Sequence, residues 1–407
     1  MTIAHADVVA AAERLAGRLI LTPTVKAAAL SAEIGVDLYV KLETLQRTGA
    51  FKERGALNRL MNLSEEEKSR GVIAMSAGNH AQGVALHARA LGIPATIVMP
   101  RHTPFVKVGR TEAFGARVVL QGDTVAESYA HAQEIAQAEE RVFVHPYDDP
   151  AIIAGQGTIA LEMLDAVPDL DDLVVPIGGG GLIAGMTIAA RAVRPDIRIT
   201  GIQSHAFPSV VAALSGHESP MPVTGGSTLA EGIAVKEPGG LTVPIIRDHG
   251  VSLGLVDEAA IEQAVHSLAS IQNLVVEGAG AAGLAAVLSD PTRYKGRKVG
   301  LVLCGGNIDP RILSSILMRG LVLEGRLTRL RVRVEDQPGA LSRASALIGE
   351  EGGNIVEVVH RRLTYAVPVK RLDVEFLVET RDRHHVDSIL NRLSATRLEA
   401  TVLDDLG

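Results

Sequence analysis

Short apolar runs alternate with longer stretches of helical spacing over the first three quarters of the chain. Strands are expected at Leu38–Leu42, Gly71–Met75, Ala95–Met99, Arg117–Leu120, Val142–Val144, Asp172–Ile177, Ile197–Gln203 and Lys298–Leu303. Between and around them, apolar residues recur every three or four positions. That spacing predicts helices at Ala6–Ile20, Phe51–Leu63, Ala81–Leu91, Val106–Phe114, Val125–Glu139, Ile152–Asp165, Leu182–Val193, Glu258–Asn273, Gly280–Leu288 and Pro310–Glu324. Such alternation argues for βαβ units around a parallel sheet buried on both faces. Phe207–Glu237 is polar and Gly-rich and resists assignment; Leu241–Ile246 is a short apolar run.

The pattern changes near Gly325. Long Ala runs vanish, and Leu327–Glu335 alternates apolar and charged residues as a strand with one wet face does. A helix at Pro338–Glu350, strands at Asn354–Arg362 and Leu372–Glu379, a helix at Arg383–Leu393 and a strand at Arg397–Leu403 complete a βαββαβ order. The expected class is therefore α/β: a two-subdomain parallel-sheet body over 1–324, with a small subdomain at roughly 41–150 inserted in the larger one. A ferredoxin-like unit follows at 327–407.

Composition narrows the function classes. With 47% hydrophobic and 21% charged residues, the chain can bury a large core and is not disordered. Its length of 407 residues suits two or three domains. The net charge of -7, the absence of Trp and the lack of a basic run argue against a nucleic-acid partner. One cysteine excludes an internal disulfide and a Cys-rich metal site. The segment Met1–Arg18 lacks the basic start of a signal peptide, and no run of 18 apolar residues exists. A soluble cytoplasmic protein without a membrane span is expected.

Four strand-end loops carry candidate chemistry. In Thr48-Gly-Ala-Phe-Lys-Glu-Arg-Gly55, Lys52 is flanked by glycines three residues to either side, which let backbone and ligand approach closely. It is a candidate for holding a carbonyl cofactor as a Schiff base, although most lysines are solvated surface groups. Gly178–Gly181 lies between a strand and a helix, where free amides and the helix dipole suit a phosphate. It also reads as a flexible turn. A dinucleotide fingerprint is disfavoured because Gln203 and Ser204 stand where an acidic residue belongs.

Ser76, Asn79 and His80 form a polar loop that either binds a carboxylate or caps a helix. Cys304 is a small core residue or a neutral partner for a ring nitrogen, and Glu277 a site carboxylate or a helix start. His145 and His205 read as ordinary. An aldehyde for Lys52, a phosphate for the glycines and an aromatic ring between them are the three handles of pyridoxal 5'-phosphate.

The segments Thr48–Gly55, Ser76-Ala-Gly-Asn-His-Ala-Gln-Gly83, Ile177-Gly-Gly-Gly-Gly-Leu182 and Cys304-Gly-Gly-Asn307 resemble, in order, the motifs of the serine/threonine dehydratases. These belong to the tryptophan-synthase-β-like (fold type II) pyridoxal-phosphate enzymes. Asp336-Gln-Pro-Gly-Ala-Leu341 resembles the first turn of an ACT regulatory domain. The resemblance implies a threonine ammonia-lyase of medium length with one ACT domain. L-Threonine would give 2-oxobutanoate and ammonia, and L-serine would give pyruvate as a secondary activity.

It further implies that Lys52 binds the cofactor and acts as base on the α-carbon. Phe51 would pack on the ring, and Asn79 would bond the phenolic oxygen. Gly178, Gly179, Gly180, Gly181 and Leu182 would hold the phosphate, with Glu277 and Cys304 also at the cofactor. Ser76, Asn79 and His80 would hold the substrate carboxylate. Serine racemases carry a second serine where Ala77 stands, so racemisation is disfavoured. Gln203 replaces a carboxylate that binds a divalent cation in some relatives, so no metal is expected. Gly339, Ala340, Leu341, Asn354 and Ile355 would form an effector site for isoleucine or valine between paired ACT units, in a homodimer or homotetramer. Two rival readings are dehydration of another β-hydroxy amino acid and an inactive amino-acid sensor.

Overall fold

The computed structural model describes residues 3–215, 226–361 and 370–403. The chain divides into two units, residues 1–309 and 310–407.

The first unit holds two sheets. The larger has six strands in the order Thr24–Lys26, Asp37–Leu42, Lys298–Leu303, Asp172–Pro176, Arg198–Ser204 and Ser252–Val256. All neighbours are parallel except Thr24–Lys26, which runs antiparallel at one edge. The smaller sheet is wholly parallel, in the order Arg117–Leu120, Ala95–Met99, Val72–Met75 and Val142–Phe143. Strand Asp172–Pro176 is buried at every position, as a sheet covered on both faces requires. Helices Pro150–Ala166 and Gly181–Val193 pack in one core cluster with strand Asp172–Pro176. The first of these starts sharply: Asp149 accepts the amides of Ala151 and Ile152, and Pro150 takes the first helical position.

Several elements depart from the sequence reading. The first helix spans His5–Leu15 and stops well short of Ile20, because Gly17 adopts a left-handed φ of 70°. The short apolar run continues into a helix, Thr242–Asp248, with Leu241 at its N-cap. Strand Ser252–Val256 and helices Ala28–Ile34 and Glu65–Arg70 carry too little apolar periodicity to show in the pattern. The unassigned stretch contains helix Ser209–Leu214, while residues 216–225 lie outside the described residues. The helix expected from Ala81 begins at Asn79, which puts Asn79 and His80 in its first turn.

The second unit folds as an antiparallel sheet in the order Asn354–Arg361, Arg371–Glu379, Leu327–Glu335 and Glu399–Leu403. Helices Ala340–Glu350 and Arg383–Ala395 share its core through Ala344, Ile348, Val386 and Ile389. Leu330, Val332 and Val334 point into that core. Arg329, Arg331 and Arg333 alternate with them and pair with Glu375 and Asp373 on the next strand. Arg362, expected to end a strand, lies outside the described residues, and the last strand begins at Glu399 rather than Arg397.

Candidate active site

The four singled-out loops all follow the carboxyl ends of parallel strands, where open α/β sheets bind ligands. The Thr48–Gly55 stretch is fixed almost residue by residue. The Thr48 carbonyl accepts Asn307 Nδ2 at 2.7 Å, Ala50 bridges Gly305, and the Phe51 amide donates to the Cys304 carbonyl at 2.9 Å. The loops carrying Lys52 and Cys304 are therefore stitched together by backbone. Beyond Lys52, Glu53 accepts the Thr48 amide and meets His87 Nε2 at 3.1 Å. Arg54 is 1% exposed and reaches Glu43 at 2.7 Å and Glu162 at 2.5 Å. These contacts lock the first turn of helix Lys52–Met61 and leave the lysine as the side chain that faces the cleft.

Lys52 Nζ donates to the Pro146 carbonyl at 2.7 Å and lies 5.2 Å from the centre of the Phe51 ring. The residue keeps some exposed surface, as a group that meets a ligand must. Desolvation of the amine nonetheless pushes its pKa down to about 8. Its place in the first turn of a helix, at the positive end of the dipole, acts in the same direction.

The tetraglycine fits an anion. Gly179 through Leu182 are buried, and the amides of Gly178 through Leu182 have no acceptor among the described residues. Buried orphan N–H groups are rare unless a ligand or water takes them. The glycines are needed here. Gly180 has φ 96°, and a Cβ on Gly179 would lie 2.3 Å from the Tyr147 ring. The Gly179 carbonyl is held from behind by Thr242 Oγ1 at 2.7 Å and the Gly239 amide at 3.1 Å, so the amides face the opening.

Asn79 sits between two partners. Its Nδ2 donates to Glu277 Oε1 at 2.7 Å, and its Oδ1 accepts Asn307 Nδ2 at 2.8 Å. One N–H of its amide stays available for a ligand oxygen. Glu277 is pushed up to about 7, mainly by burial, with the Asn79 bond pulling the other way. Cys304 is 3% exposed, and burial raises its thiol pKa far enough to keep it protonated. The amides of Asn79 and His80 likewise lack acceptors among the described residues, and Ser76 Oγ accepts the Gly78 amide at 3.2 Å. His80 itself is buried, with Nε2–H directed at the Val144 carbonyl at 3.0 Å and a pKa pushed down to about 3 by desolvation. Its offer to an anion is therefore its backbone amide.

Sequence reasoning missed the strap His145-Pro-Tyr-Asp148, which ties Lys52 to the glycine loop. His145 is not an ordinary surface histidine. Its Nδ1 accepts the amides of Tyr147 and Asp148 at 3.3 and 2.8 Å, which folds the strap. Pro146 then meets Lys52, and Tyr147 covers Gly179, its hydroxyl donating to the Glu237 carbonyl at 2.8 Å. The strap follows the carboxyl end of strand Val142–Phe143, the same signal that marked Ser76. Gln203 is fully engaged: its Oε1 accepts the amides of Val210 and Val211, both at 3.0 Å. Gly339–Leu341 and Asn354–Ile355 are not together within one chain. They flank opposite ends of helix Ala340–Glu350, which spans 11 residues, or ~16 Å at helical rise.

A desolvated amine of lowered pKa, a cradle of free amides and a neutral buried thiol lie at the carboxyl ends of these parallel strands. Residues 17–305 match the family model for pyridoxal-phosphate dependent enzymes, and residues 328–397 match the ACT domain. The chain belongs to the pyridoxal-phosphate-dependent enzyme family, and its cofactor is pyridoxal phosphate. It is 44% identical over 374 residues to an L-threonine ammonia-lyase of Thermotoga maritima, covering 92% of this chain and 93% of the relative.

Solved structures point the same way. Maize serine racemase superposes with a TM-score of 0.73 at 34% identity, over 80% of this chain and all of that one. The processed form of threonine deaminase isoform 2 from Solanum lycopersicum gives 0.71 at 33%, over 77% of this chain and 86% of that one. No helix among the described residues is long and apolar enough to cross a membrane.

Proposed function

We propose that this chain deaminates L-threonine to 2-oxobutanoate and ammonia, with L-serine to pyruvate as a secondary reaction. The observation that carries the reading is the near full-length match to an L-threonine ammonia-lyase, ACT region included. When bound, pyridoxal phosphate supplies a carbonyl that condenses with amines and a ring that draws electrons from the α-carbon.

The chain's own groups do the rest. Lys52 would hold the cofactor and, as a free amine, would serve as the base for the α-proton; a pKa near 8 keeps a neutral fraction of that amine available around neutral pH. The Pro146 carbonyl gives the free amine a resting place. The amides of Gly178 to Leu182 would hold the phosphate, Phe51 would pack on the ring, and the spare N–H of Asn79 would meet the ring oxygen, with Glu277 holding Asn79 in place. The uncharged Cys304 thiol would offer the ring nitrogen no counter-ion. That weakens the electron sink and favours prompt loss of the β-hydroxyl over transamination.

The substrate carboxylate sits at Ser76 and the first-turn amides of Asn79 and His80. Ala77 offers no second base, so protons move at one face only, which separates this site from a racemase of the same fold. Keto-acid release from a panel of threonine, serine and 3-hydroxyaspartate tests the reading. It fails if threonine is not turned over, and a colourless purified protein would favour the sensor reading.

We also propose regulation. Isoleucine or valine would bind between Gly339–Leu341 of one ACT unit and Asn354–Ile355 of another, in a cytoplasmic homodimer or homotetramer serving isoleucine synthesis. The separation of these segments within one chain supports a shared site between two chains. Threonine turnover unchanged by either amino acid would refute this for those ligands.

A further inference from the structure

Lys52 is followed by a carboxylate to which the proposed reaction assigns no part. Glu53 is buried in the first turn of helix Lys52–Met61, the end whose dipole favours negative charge. One of its oxygens accepts the Thr48 amide, and the other accepts His87 Nε2–H at 3.1 Å. A carboxylate can only accept, so Nε2 carries the proton in this contact. His87 is buried as well, in the last turn of helix Asn79–Ala90. Such a pair is a poor source of stability, because two apolar groups of the same shape serve as well in a core. Its use lies in what it joins.

The pair joins the turn that carries the amine to the helix that carries the proposed carboxylate-binding amides. Asn79, Gly83 and His87 are four residues apart and share one face of helix Asn79–Ala90. The peptide between Lys52 and Glu53 rests on the middle of that face: a Cβ on Gly83 would lie 3.3 Å from the Lys52 carbonyl carbon and 3.3 Å from the Glu53 nitrogen. One turn further along, Glu53 meets His87. One turn earlier, Asn79 Oδ1 accepts Asn307 Nδ2, which also donates to the Thr48 carbonyl. Thr48 is thus held by its amide through Glu53 and by its carbonyl through Asn307. The bonds close a ring around the Lys52 turn, running through Glu53, His87, Asn79, Asn307 and Thr48.

We propose that Glu53 and His87 are positioning residues, which fix the separation between the Lys52 amine and the first-turn amides of Asn79 and His80. The inference rests on the reading that Lys52 is the base and that these amides hold the substrate carboxylate. In an amino acid the carboxylate and the departing proton share one carbon, so base and carboxylate site must keep a matching separation. Both residues are buried and act through the backbone of the Lys52 turn.

The test compares Glu53→Ala and His87→Leu, which break the pair, with Glu53→Gln and His87→Gln, which keep a polar group of matching reach for each bond. Two readings are taken on the full chain, both per folded molecule. The first is the rate at which the cofactor-free protein takes up pyridoxal phosphate, followed by its violet-region absorbance. The second is kcat and KM of the loaded enzyme for threonine. Glu53→Ala and His87→Leu should slow uptake by about tenfold or more and lower kcat by about tenfold or more, with KM within about threefold of the parent, because the amine is misplaced and the carboxylate site is not. Both glutamine variants should recover most of each loss. The proposal is overturned if either folded pair-breaking variant takes up the cofactor as the parent does, if the loss falls on KM with kcat unchanged, or if the glutamine variants are as impaired as the variants that break the pair. Should Glu53→Ala fail to fold, His87→Leu against His87→Gln decides by the same readings. A parent that does not turn over threonine would sink the functional reading instead, and the uptake rates would still test the pair.

Discussion

Two lysines eleven positions apart are set into the protein in opposite ways. Lys41, on strand Asp37–Leu42, is 0% exposed and joins a closed ion network. It bonds Glu162 and the Thr22 carbonyl, while Arg54 bridges Glu162 and Glu43. Two cations meet two carboxylates, and Thr22 and Gln46 complete Glu43. Lys52 has a carbonyl for its hydrogen-bond partner, and its neighbours Cys304 and Glu277 are held toward their neutral forms by burial. Desolvation lowers the pKa of both lysines, but at Lys41 the Glu162 carboxylate opposes it from direct contact. The first arrangement makes a buried charge inert. The second leaves an amine able to lose and regain its proton.

The largest effect that could break this contrast is chemical. Lys52→Ala should cut threonine turnover by about 10³-fold or more, the range associated with losing a positioned base or nucleophile. It should also lose the violet-region absorbance of the loaded enzyme. Lys41→Met, of similar volume, should keep turnover per folded molecule. If both variants lose activity equally at full cofactor occupancy, Lys41 is not merely structural. Next in size is a stability effect. Glu43→Ala strips Arg54 of one carboxylate at full burial and should destabilise the protein by about 3–5 kcal/mol. Urea denaturation measures this, and a change near zero would mean that water or Glu162 suffices for Arg54.

The contrast between the lysines was half legible in the sequence. Glycines around Lys52 and an ordered set of strand-end motifs marked it, and the alternation of strands and helices placed those motifs at one end of parallel sheets. Nothing local marked Lys41, Glu43, Arg54 and Glu162 as a network. Their partners lie as far as 121 residues apart, so the pairing exists only through the fold. The strap at His145 escaped for a related reason: its role comes from a carbonyl and a ring edge meeting Lys52 and Gly179, and a carbonyl carries no side-chain signature. Ser252–Val256 was missed because Gly254 and a short length blur its alternation. Helix Ala6–Ile20 ran long because apolar spacing continued past Gly17, where backbone φ decided the end.

A third, smaller effect sharpens the contrast through pH. In the cofactor-free protein, the folded pKa of Lys52 is near 8, below the unfolded value of 10.5. Between those values the unfolded chain binds more protons, so stability contributed by this group is present above about pH 10.5 and is lost as pH falls through 8. Lys52→Met should flatten the rise in urea midpoint between pH 8 and 10. An unchanged slope would mean that the buried amine titrates as a free one.

The smallest effect concerns Glu277, a carboxyl that acts on Lys52 only through its charge. Its folded pKa is near 7, above the ordinary glutamate value of 4.5. Here the folded state holds the extra proton, so the contribution to stability is complete below about pH 4.5 and is lost as pH rises through 7. Glu277→Gln keeps an oxygen for Asn79 Nδ2 but removes that loss, so the cofactor-free variant should gain stability relative to the parent between pH 5 and 8. It should also depress the Lys52 pKa slightly further, since an ionised Glu277 favours the charged amine. Modification of Lys52 by an amine-selective reagent, followed against pH, reads that shift directly. A Lys52 pKa that rises in this variant would show that Glu277 acts on the amine by something other than charge, and the sparing of Lys52 from a fixed anion would lose its meaning.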